Sequence, residues 1–204
     1  EPALIALLEN ARDAFARFYK PDAAAREFMA RIRYAGSVMP ELEWPGVDED
    51  AMKKRLAHLA VGMRSFGELE KIDWEGAVRN ELTPSQRAAL HSEFPETIAT
   101  PAGSRIRIDY EEGLKPGLTP VVAIRLQEMF GVSETPRIGR GRISLTLSLL
   151  APNMRPLQIT RDLAGFWKNT YPQVRAELRA RYARHEWPQD PLAATPTNRA
   201  RRRG

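Results

Sequence analysis

The clearest strand pattern in the sequence is Ile143-Ser144-Leu145-Thr146-Leu147-Ser148-Leu149. Aliphatic side chains alternate with small hydroxyl side chains, and this period of two is typical of a β-strand that buries one face. The turn sequence Ala151-Pro152-Asn153 follows, and a partner strand is predicted over residues 157–160. Because such a short turn joins neighbouring antiparallel strands, the stretch predicts a sheet.

Further strands are predicted towards the N-terminus. Residues 105–110 alternate apolar and charged side chains, and the turn at 100–104 joins them to a short strand over 97–99. The mainly apolar run 121–126 predicts a more buried strand. The connections are too short for parallel crossovers, so we expect a largely antiparallel β-sheet of about five strands.

Helices are predicted before the sheet. Apolar residues recur every three or four positions from Leu4 to Phe18, and Asp22 is placed to cap a second helix that ends at Gly36. Asp48 opens a third helix, and Thr83-Pro84 opens another with a glutamine in the capping-box position.

Helices are also predicted after the sheet. Asp162 should cap a short helix through Lys168, and Pro172 should begin one that runs to about Arg184. We expect these helices to pack on the sheet through the apolar side chains of Phe166, Trp167, Val174 and Leu178. The fold class is therefore α+β, with a helical segment over 1–96, a β-rich domain with closing helices over 97–191 and an exposed basic tail over 192–204.

Composition favours a soluble, cytoplasmic protein. The 204 residues include no cysteine, as is common in a reducing compartment, and no apolar run is long enough to span a membrane. The chain begins at Glu1 within a helical pattern, so we expect it to be part of a longer protein.

Charge is divided unevenly along the chain. Residues 1–100 contain 13 lysines and arginines against 17 acidic residues, whereas residues 101–204 contain 18 against 9. The second half therefore carries a net charge of +9. Such asymmetry favours a polyanionic partner, and a solvated surface with a basic tail is an equally good interpretation.

Known catalytic motifs are absent from the sequence. It contains no GxxxxGK[ST] phosphate loop, no GxGxxG and no GxSxG. The three histidines, His58, His91 and His185, lack metal-ligand spacing and are expected on a helix surface or in the core. We therefore predict that this chain is not an enzyme and holds no cofactor or metal.

Two groups of arginines are candidate nucleic-acid contacts. Arg137, Arg140 and Arg142 alternate with glycines that could let backbone N–H groups approach a phosphate, although a plain hairpin loop would have the same composition. Arg175 and Arg179 share one face of the last predicted helix, which could equally be a solvated face.

Two further features are weaker candidates. The tail arginines could bind phosphate without sequence preference; they are Arg199, Arg201, Arg202 and Arg203. Aromatic residues near these arginines could stack on RNA bases, but helical spacing favours a place in the core; they are Phe166, Trp167, Tyr171, Tyr182 and Trp187.

Seven strings in the second half of the chain are distinctive: PAGSRI (101–106), RLQEMFG (125–131), ETPRI (134–138), RPLQITRDLAGFW (155–167), NTYPQVR (169–175), ELRARY (177–182) and HEWPQDP (185–191). These strings resemble the C-terminal region of HrpB-type bacterial ATP-dependent helicases. Residues 1–96 fit the same family in their pattern of helices, and the tail carries no family motif.

The resemblance implies a DEAH-box-like parent that hydrolyses ATP, with Mg²⁺, on motor domains upstream of this chain, and that acts on RNA. It supplies no catalytic residue for this chain. Two functions follow as hypotheses. Either the chain is an accessory region that contacts nucleic acid through its basic half, or it is a docking module that braces the motor domains or recruits a protein partner.

Overall fold

The computed structural model describes residues 11–198, with side chains from Ala14 onward. Two compact units divide between Ser92 and Glu93. The helical pattern of residues 4–10 and the tail arginines from Arg199 onward lie outside the described residues.

The first unit is helical, as predicted. Its α-helices are α1 (Ala11–Phe18), α2 (Ala23–Val38), α3 (Glu49–Leu59), α4 (Phe66–Leu69), α5 (Trp74–Arg79) and α6 (Pro84–Glu93), with a 3₁₀ turn at Pro40–Leu42. The core between them is made of apolar side chains that are almost wholly buried, among them Phe18, Phe28, Ile32, Met52 and Val78.

Three of these helices begin at the capping residues that the sequence predicted. Asp22 and Asp48 each accept a main-chain N–H at 2.8 Å, and both precede the helix that they cap. At the start of α6, the Thr83 N–H donates to Gln86 Oε1 at 2.7 Å, and the Gln86 N–H donates to Thr83 Oγ1 at 3.3 Å. The capping box is therefore formed.

Helix α2 does not end at Gly36, contrary to the sequence prediction. It continues to Val38, and the Met39 N–H closes it by donating to the carbonyl oxygen of Ala35. A Cβ on Gly36 would lie 3.8 Å from the side chain of Trp44. This glycine lies where the helix packs against an indole ring, and it does not terminate the helix.

The second unit contains a five-stranded sheet. Its strands, in the spatial order β1-β2-β3-β6-β7, are Thr97–Ala99, Arg105–Asp109, Val121–Arg125, Thr146–Leu150 and Pro156–Thr160. A separate hairpin pairs β4 (Arg137–Ile138) with β5 (Ile143–Ser144). The α+β class and the five strands are confirmed.

Three of the four strand pairs in this sheet are antiparallel, as expected, but one pair is parallel, which corrects the inference that no connection is long enough for a parallel crossover. The central strands β3 and β6 run parallel, with Val122 opposite Leu147 and Ile124 opposite Leu149. The segment between them includes the 3₁₀ turn Leu126–Met129 and the β4–β5 hairpin. This connection is long enough for a crossover, which parallel strands require.

The alternating stretch 143–149 is divided between two sheets. Ile143 and Ser144 belong to the small hairpin, whereas residues from Thr146 onward join the main sheet. Leu145, Leu147 and Leu149 are fully buried, as is Ile108. The alternating patterns at 105–110 and 143–149 predict that all four of these side chains and Ile106 face the core, and of the five only Ile106 is half-buried.

The closing helices follow the sheet. Asp162 caps α7 (Leu163–Gly165) by accepting the Gly165 N–H at 2.8 Å, a π-helical turn covers Phe166–Thr170, and α8 is Tyr171–Arg181. Of the predicted packing residues, Phe166, Trp167 and Leu178 are buried and Val174 is half-buried. Helix α8 ends three residues earlier than predicted.

Residues 191–198 are hydrogen-bonded to the second unit, although the sequence predicts an exposed tail from 192. The Gly131 N–H donates to the carbonyl oxygen of Pro191 at 2.9 Å, and the Thr197 N–H donates to that of Gln127 at 3.0 Å. Many side chains of the segment remain exposed. Its main chain is nevertheless hydrogen-bonded to Gln127 in the 3₁₀ turn after β3 and to Gly131, two residues beyond that turn.

Candidate nucleic-acid interface

The β4–β5 hairpin has an uncommon backbone. Gly139, Arg140 and Gly141 all have positive φ angles, of 59°, 55° and 73°. Glycine adopts this left-handed conformation readily, whereas arginine adopts it at a cost. The loop is closed by the Arg142 N–H, which donates to the carbonyl oxygen of Gly139 at 3.0 Å, and by Arg137 Nε, which donates to that of Gly141 at 2.5 Å.

Glu93 engages the N–H groups of this hairpin. The Gly139 N–H donates to the Glu93 carbonyl oxygen at 2.8 Å, and the Arg140 N–H donates to Glu93 Oε2 at 2.7 Å. One backbone N–H of the hairpin, that of Arg140, thus does meet an anion, but that anion is a carboxylate of the same unit. Contact with phosphate at this hairpin would therefore rely on the exposed arginine side chains of 137, 140 and 142.

The second pair of candidate arginines lies on α8. Arg175 is half-buried, and its Nε donates to the carbonyl oxygen of Trp187 at 2.8 Å. Arg179 is exposed and lines an open groove of about 320 Å³ together with His185, Glu186, Trp187 and Pro188. The five predicted arginines therefore form two groups with different neighbours, one beside Glu93 and one beside residues 185–188.

Two further basic residues, Arg125 and His185, were not predicted as candidates. Arg125 closes β3, and its guanidinium donates to the carbonyl oxygen of Asn198 and to Met154 Sδ, both at 3.3 Å. Burial and then the positive charge of Arg125 lower the pKa of His185. The sequence signal for Arg125 was a single cation at the end of an apolar strand, and its effect on the pKa of a histidine 60 positions later has no local signature.

The aromatic side chains near the arginines belong to the core. Phe166, Trp167, Tyr171 and Trp187 are buried, and only Tyr182 is half-exposed. The Tyr171 hydroxyl donates to the carbonyl oxygen of Pro188 at 2.8 Å, and burial raises the pKa of Tyr171 to about 12. Base stacking on the buried rings is excluded in this conformation, as the helical spacing indicated.

The described part of the chain presents neither a membrane-spanning helix nor a metal-binding cluster. Between residues 11 and 198, no helix is long and apolar enough to cross a membrane. Over the same residues, no group of three or more His, Cys, Asp or Glu side chains is arranged to hold a metal ion. The features that stand out chemically are therefore the two arginine groups.

Comparison with known proteins places this α+β chain among helicase C-terminal regions. Residues 55–191 match the family model HrpB_C, described as ATP-dependent helicase C-terminal. The chain belongs to this family, as the sequence resemblance implied. It is 39% identical, over 201 residues and 97% of its length, to the ATP-dependent RNA helicase HrpB of Escherichia coli (strain K12).

Solved structures agree with this assignment. The crystal structure of the E. coli DExH-box NTPase HrpB matches 95% of the chain with a TM-score of 0.82 and 38% identity. A crystal structure of the Escherichia coli DEAH/RHA helicase HrpB matches 81% with a TM-score of 0.64 and 38% identity. The chain spans about a quarter (24%) of the length of the HrpB relative, so it corresponds to one domain region of such a protein.

Proposed function

We propose that this chain is the part of an ATP-dependent RNA helicase that contacts RNA through the basic surface of its second unit. The observation that carries the proposal is the display of exposed arginines on a fixed scaffold. Arg137, Arg140 and Arg142 project from a hairpin whose backbone is held by Glu93, and Arg179 lines the groove beside α8. Because the hairpin backbone that carries the first three arginines is already ordered, less entropy is lost on binding phosphate than with a mobile loop.

Charge supports an RNA partner for this half of the chain. Residues 101–204 carry a net charge of +9, whereas residues 1–100 carry −4. Cations that neutralise phosphates displace counterions, and this release drives binding without base recognition. The chain would then increase the affinity of the helicase for RNA and help to position that RNA, without recognising its base sequence.

In such a helicase, ATP binding and hydrolysis would take place on the motor domains and not on this chain. The chain has no GxxxxGK[ST] loop, and residues 11–198 present no cluster suited to a metal ion. ATP and Mg²⁺ would be bound by the motor domains, and this chain would act on them only through RNA or through direct packing. We therefore propose no catalytic role for the residues of this chain.

A salt titration of RNA binding tests the proposal. Binding of a fluorescein-labelled single-stranded RNA to this chain would be followed by anisotropy across a range of salt concentrations. We expect the logarithm of the association constant to fall linearly with the logarithm of salt, by about 0.7 for each phosphate neutralised. Negligible affinity near physiological salt would contradict the proposal and favour the docking module.

A further inference from the structure

We propose that strand β7, with Arg155 before it and Arg161 after it, is a docking surface for an extended acidic segment of a protein partner. Aliphatic side chains of that segment would cover Ile159 and the half-buried Leu157, and its carboxylates would pair with the two arginines. This inference goes beyond RNA contact, which we assign to arginines on the β4–β5 hairpin and on α8, and it does not depend on that contact.

Strand β7 (Pro156–Thr160) lies at one edge of the five-stranded sheet. Between residues 11 and 198, β6 is the only strand hydrogen-bonded to it. Pro156 has no N–H to donate, and the ladder is irregular between Leu149 and Leu150 of β6, so the first half of this edge is poorly suited to a further strand. Residues 158–160 pair regularly with β6. Every second N–H and C=O group of this half points away from β6, where an extended partner could bind it.

The side chains of β7 are open to solvent. None of its five residues is buried, whereas four of the five on β6 are. Ile159 is 57% exposed and lies opposite Ser148, whose small side chain leaves it uncovered across the pair. Met154, in the turn before the strand, is 53% exposed. An aliphatic partner that covered these side chains would remove apolar surface from water, which favours association.

The arginines at the two ends of β7 are available to a partner. Both are exposed, and within the described residues neither guanidinium makes a hydrogen bond or an ion pair. Their main chains are fixed, because the Ala151 N–H donates to the carbonyl oxygen of Arg155 at 2.8 Å and Thr135 Oγ1 donates to that of Arg161 at 2.9 Å. A guanidinium in this state can take a carboxylate in a bidentate pair. In an extended chain the two arginines are about 20 Å apart, so the partner segment must also be extended.

Charge favours an acidic protein segment over the other possible occupants. Two β7 strands paired antiparallel about their midpoints would place Arg155 of one copy opposite Arg161 of the other, and like charges repel. RNA could pair with both arginines, but its sugar–phosphate backbone offers no aliphatic surface to Ile159. The neighbouring acid, Asp162, already caps α7 by accepting the Gly165 N–H at 2.8 Å. Carboxylates separated by aliphatic side chains match both features of the surface.

Binding of model peptides to this chain tests the proposal. The probe is a fluorescein-labelled peptide, Glu-Val-Thr-Val-Thr-Val-Glu, which has the length of the stretch from Arg155 to Arg161 and is followed by anisotropy. One comparison peptide has lysine in place of each glutamate, and the other has serine in place of each valine. We expect the first peptide to bind at least about tenfold more tightly than either comparison peptide, because each of them lacks one of the two matching features.

Variants of the chain locate the binding on β7. The double variant Arg155→Gln and Arg161→Gln should bind the first peptide about tenfold more weakly, and Ile159→Thr, which keeps a β-branched side chain, should bind it several-fold more weakly. Arg107→Gln is the matched control, because Arg107 is an exposed arginine on β2, and it should stay within about twofold of wild type.

The outcomes are distinct from those of the RNA titration. Undetectable binding of the first peptide, or equal binding of all three peptides, would overturn the docking surface, and so would β7 variants that behave like Arg107→Gln. If the double variant instead lost affinity for single-stranded RNA while the peptides did not bind, β7 would be an RNA contact and this inference would be wrong. The peptide comparison uses wild type alone, so it remains decisive if a variant fails to fold. A negative peptide result leaves the proposed function unaffected, because that assay contains no RNA.

Discussion

The main-chain N–H of Arg140 donates a hydrogen bond to a carboxylate oxygen of Glu93, a residue 47 positions earlier in the chain, at 2.7 Å. The neighbouring Gly139 N–H donates to the carbonyl oxygen of the same glutamate. One residue thus accepts from two consecutive N–H groups of a left-handed turn. Successive backbone N–H groups of such a turn can bind an anion, and here the Arg140 N–H binds the carboxylate of Glu93 while the Gly139 N–H binds its carbonyl oxygen.

Removing this carboxylate should loosen the hairpin. Glu93→Ala eliminates a charge-assisted hydrogen bond and leaves the Arg140 N–H to find another partner. We expect a loss of about 1–3 kcal/mol in the free energy of unfolding, measured by chemical denaturation. Glu134→Ala, at an exposed position on the segment between β3 and β4, is the control and should change it by less than about 0.5 kcal/mol. Equal effects of the two substitutions would show that Glu93 does not support the hairpin.

The sequence predicted the local elements of the fold well. Asp22, Asp48, Asp162 and the Thr83–Gln86 pair each mark a helix start, because a cap involves residues only three positions apart. Gly36 misled the prediction, since a glycine that ends a helix and one that contacts an indole have the same local signature. The parallel pairing of β3 with β6 was also missed, because it depends on the path of the residues between them.

The candidate site was harder to predict than the local elements, because parts of it also depend on residues that are distant in sequence. The arginines at 137, 140 and 142 form one group because they share a hairpin, and glycine spacing indicates that. Arg125 can affect the pKa of His185 only once β3 and the segment after α8 are folded together, and no periodicity encodes that effect. The sequence likewise did not predict the hydrogen bond between the Arg140 N–H and Glu93, because the two residues approach each other only in the tertiary fold.

Leu147 tests the core of the second unit. It lies on β6, opposite Val122 in the parallel pair, and its exposed fraction is 0%. Leu147→Ala should reduce the free energy of unfolding by about 2–5 kcal/mol, because it removes buried apolar surface and leaves a cavity. The control is Ile159→Ala on the adjacent strand β7, where the side chain is 57% exposed and the loss should be under about 1 kcal/mol. Comparable losses would contradict the assignment of Leu147 to the core.

The pair of Arg55 and Glu81 tests the first unit. Arg55 Nε and Nη2 donate to the two carboxylate oxygens of Glu81 at 2.6 and 2.5 Å, and the Arg55 side chain is only 8% exposed. Glu81→Ala leaves a largely buried guanidinium with less compensation, so a loss of about 2–4 kcal/mol is expected in denaturant unfolding. Glu75→Ala breaks the exposed pair of Glu75 with Arg79, one turn apart on α5, and should cost about 0.5 kcal/mol. A result in which Glu81→Ala is as mild as Glu75→Ala would mean that burial does not strengthen the first pair.

The hairpin arginines provide the last prediction, and the backbone determines how they should be replaced. Arg140 has a φ of 55°, a conformation that alanine tolerates no better than arginine, whereas glycine adopts it without strain. Arg140→Gly combined with Arg142→Gln therefore removes two charges without straining the turn further. If both arginines contact phosphate, the salt slope for single-stranded RNA should shrink by about 1.4, and all sequences should be weakened about equally. The control for the salt titration is Arg107→Gln, which removes one charge at an exposed position on β2. The docking hypothesis makes the opposite prediction, namely that the double variant changes neither slope nor affinity and instead alters the ATPase activity of a helicase that contains this chain. Anisotropy across salt concentrations, beside ATPase assays of the longer protein, distinguishes the two hypotheses.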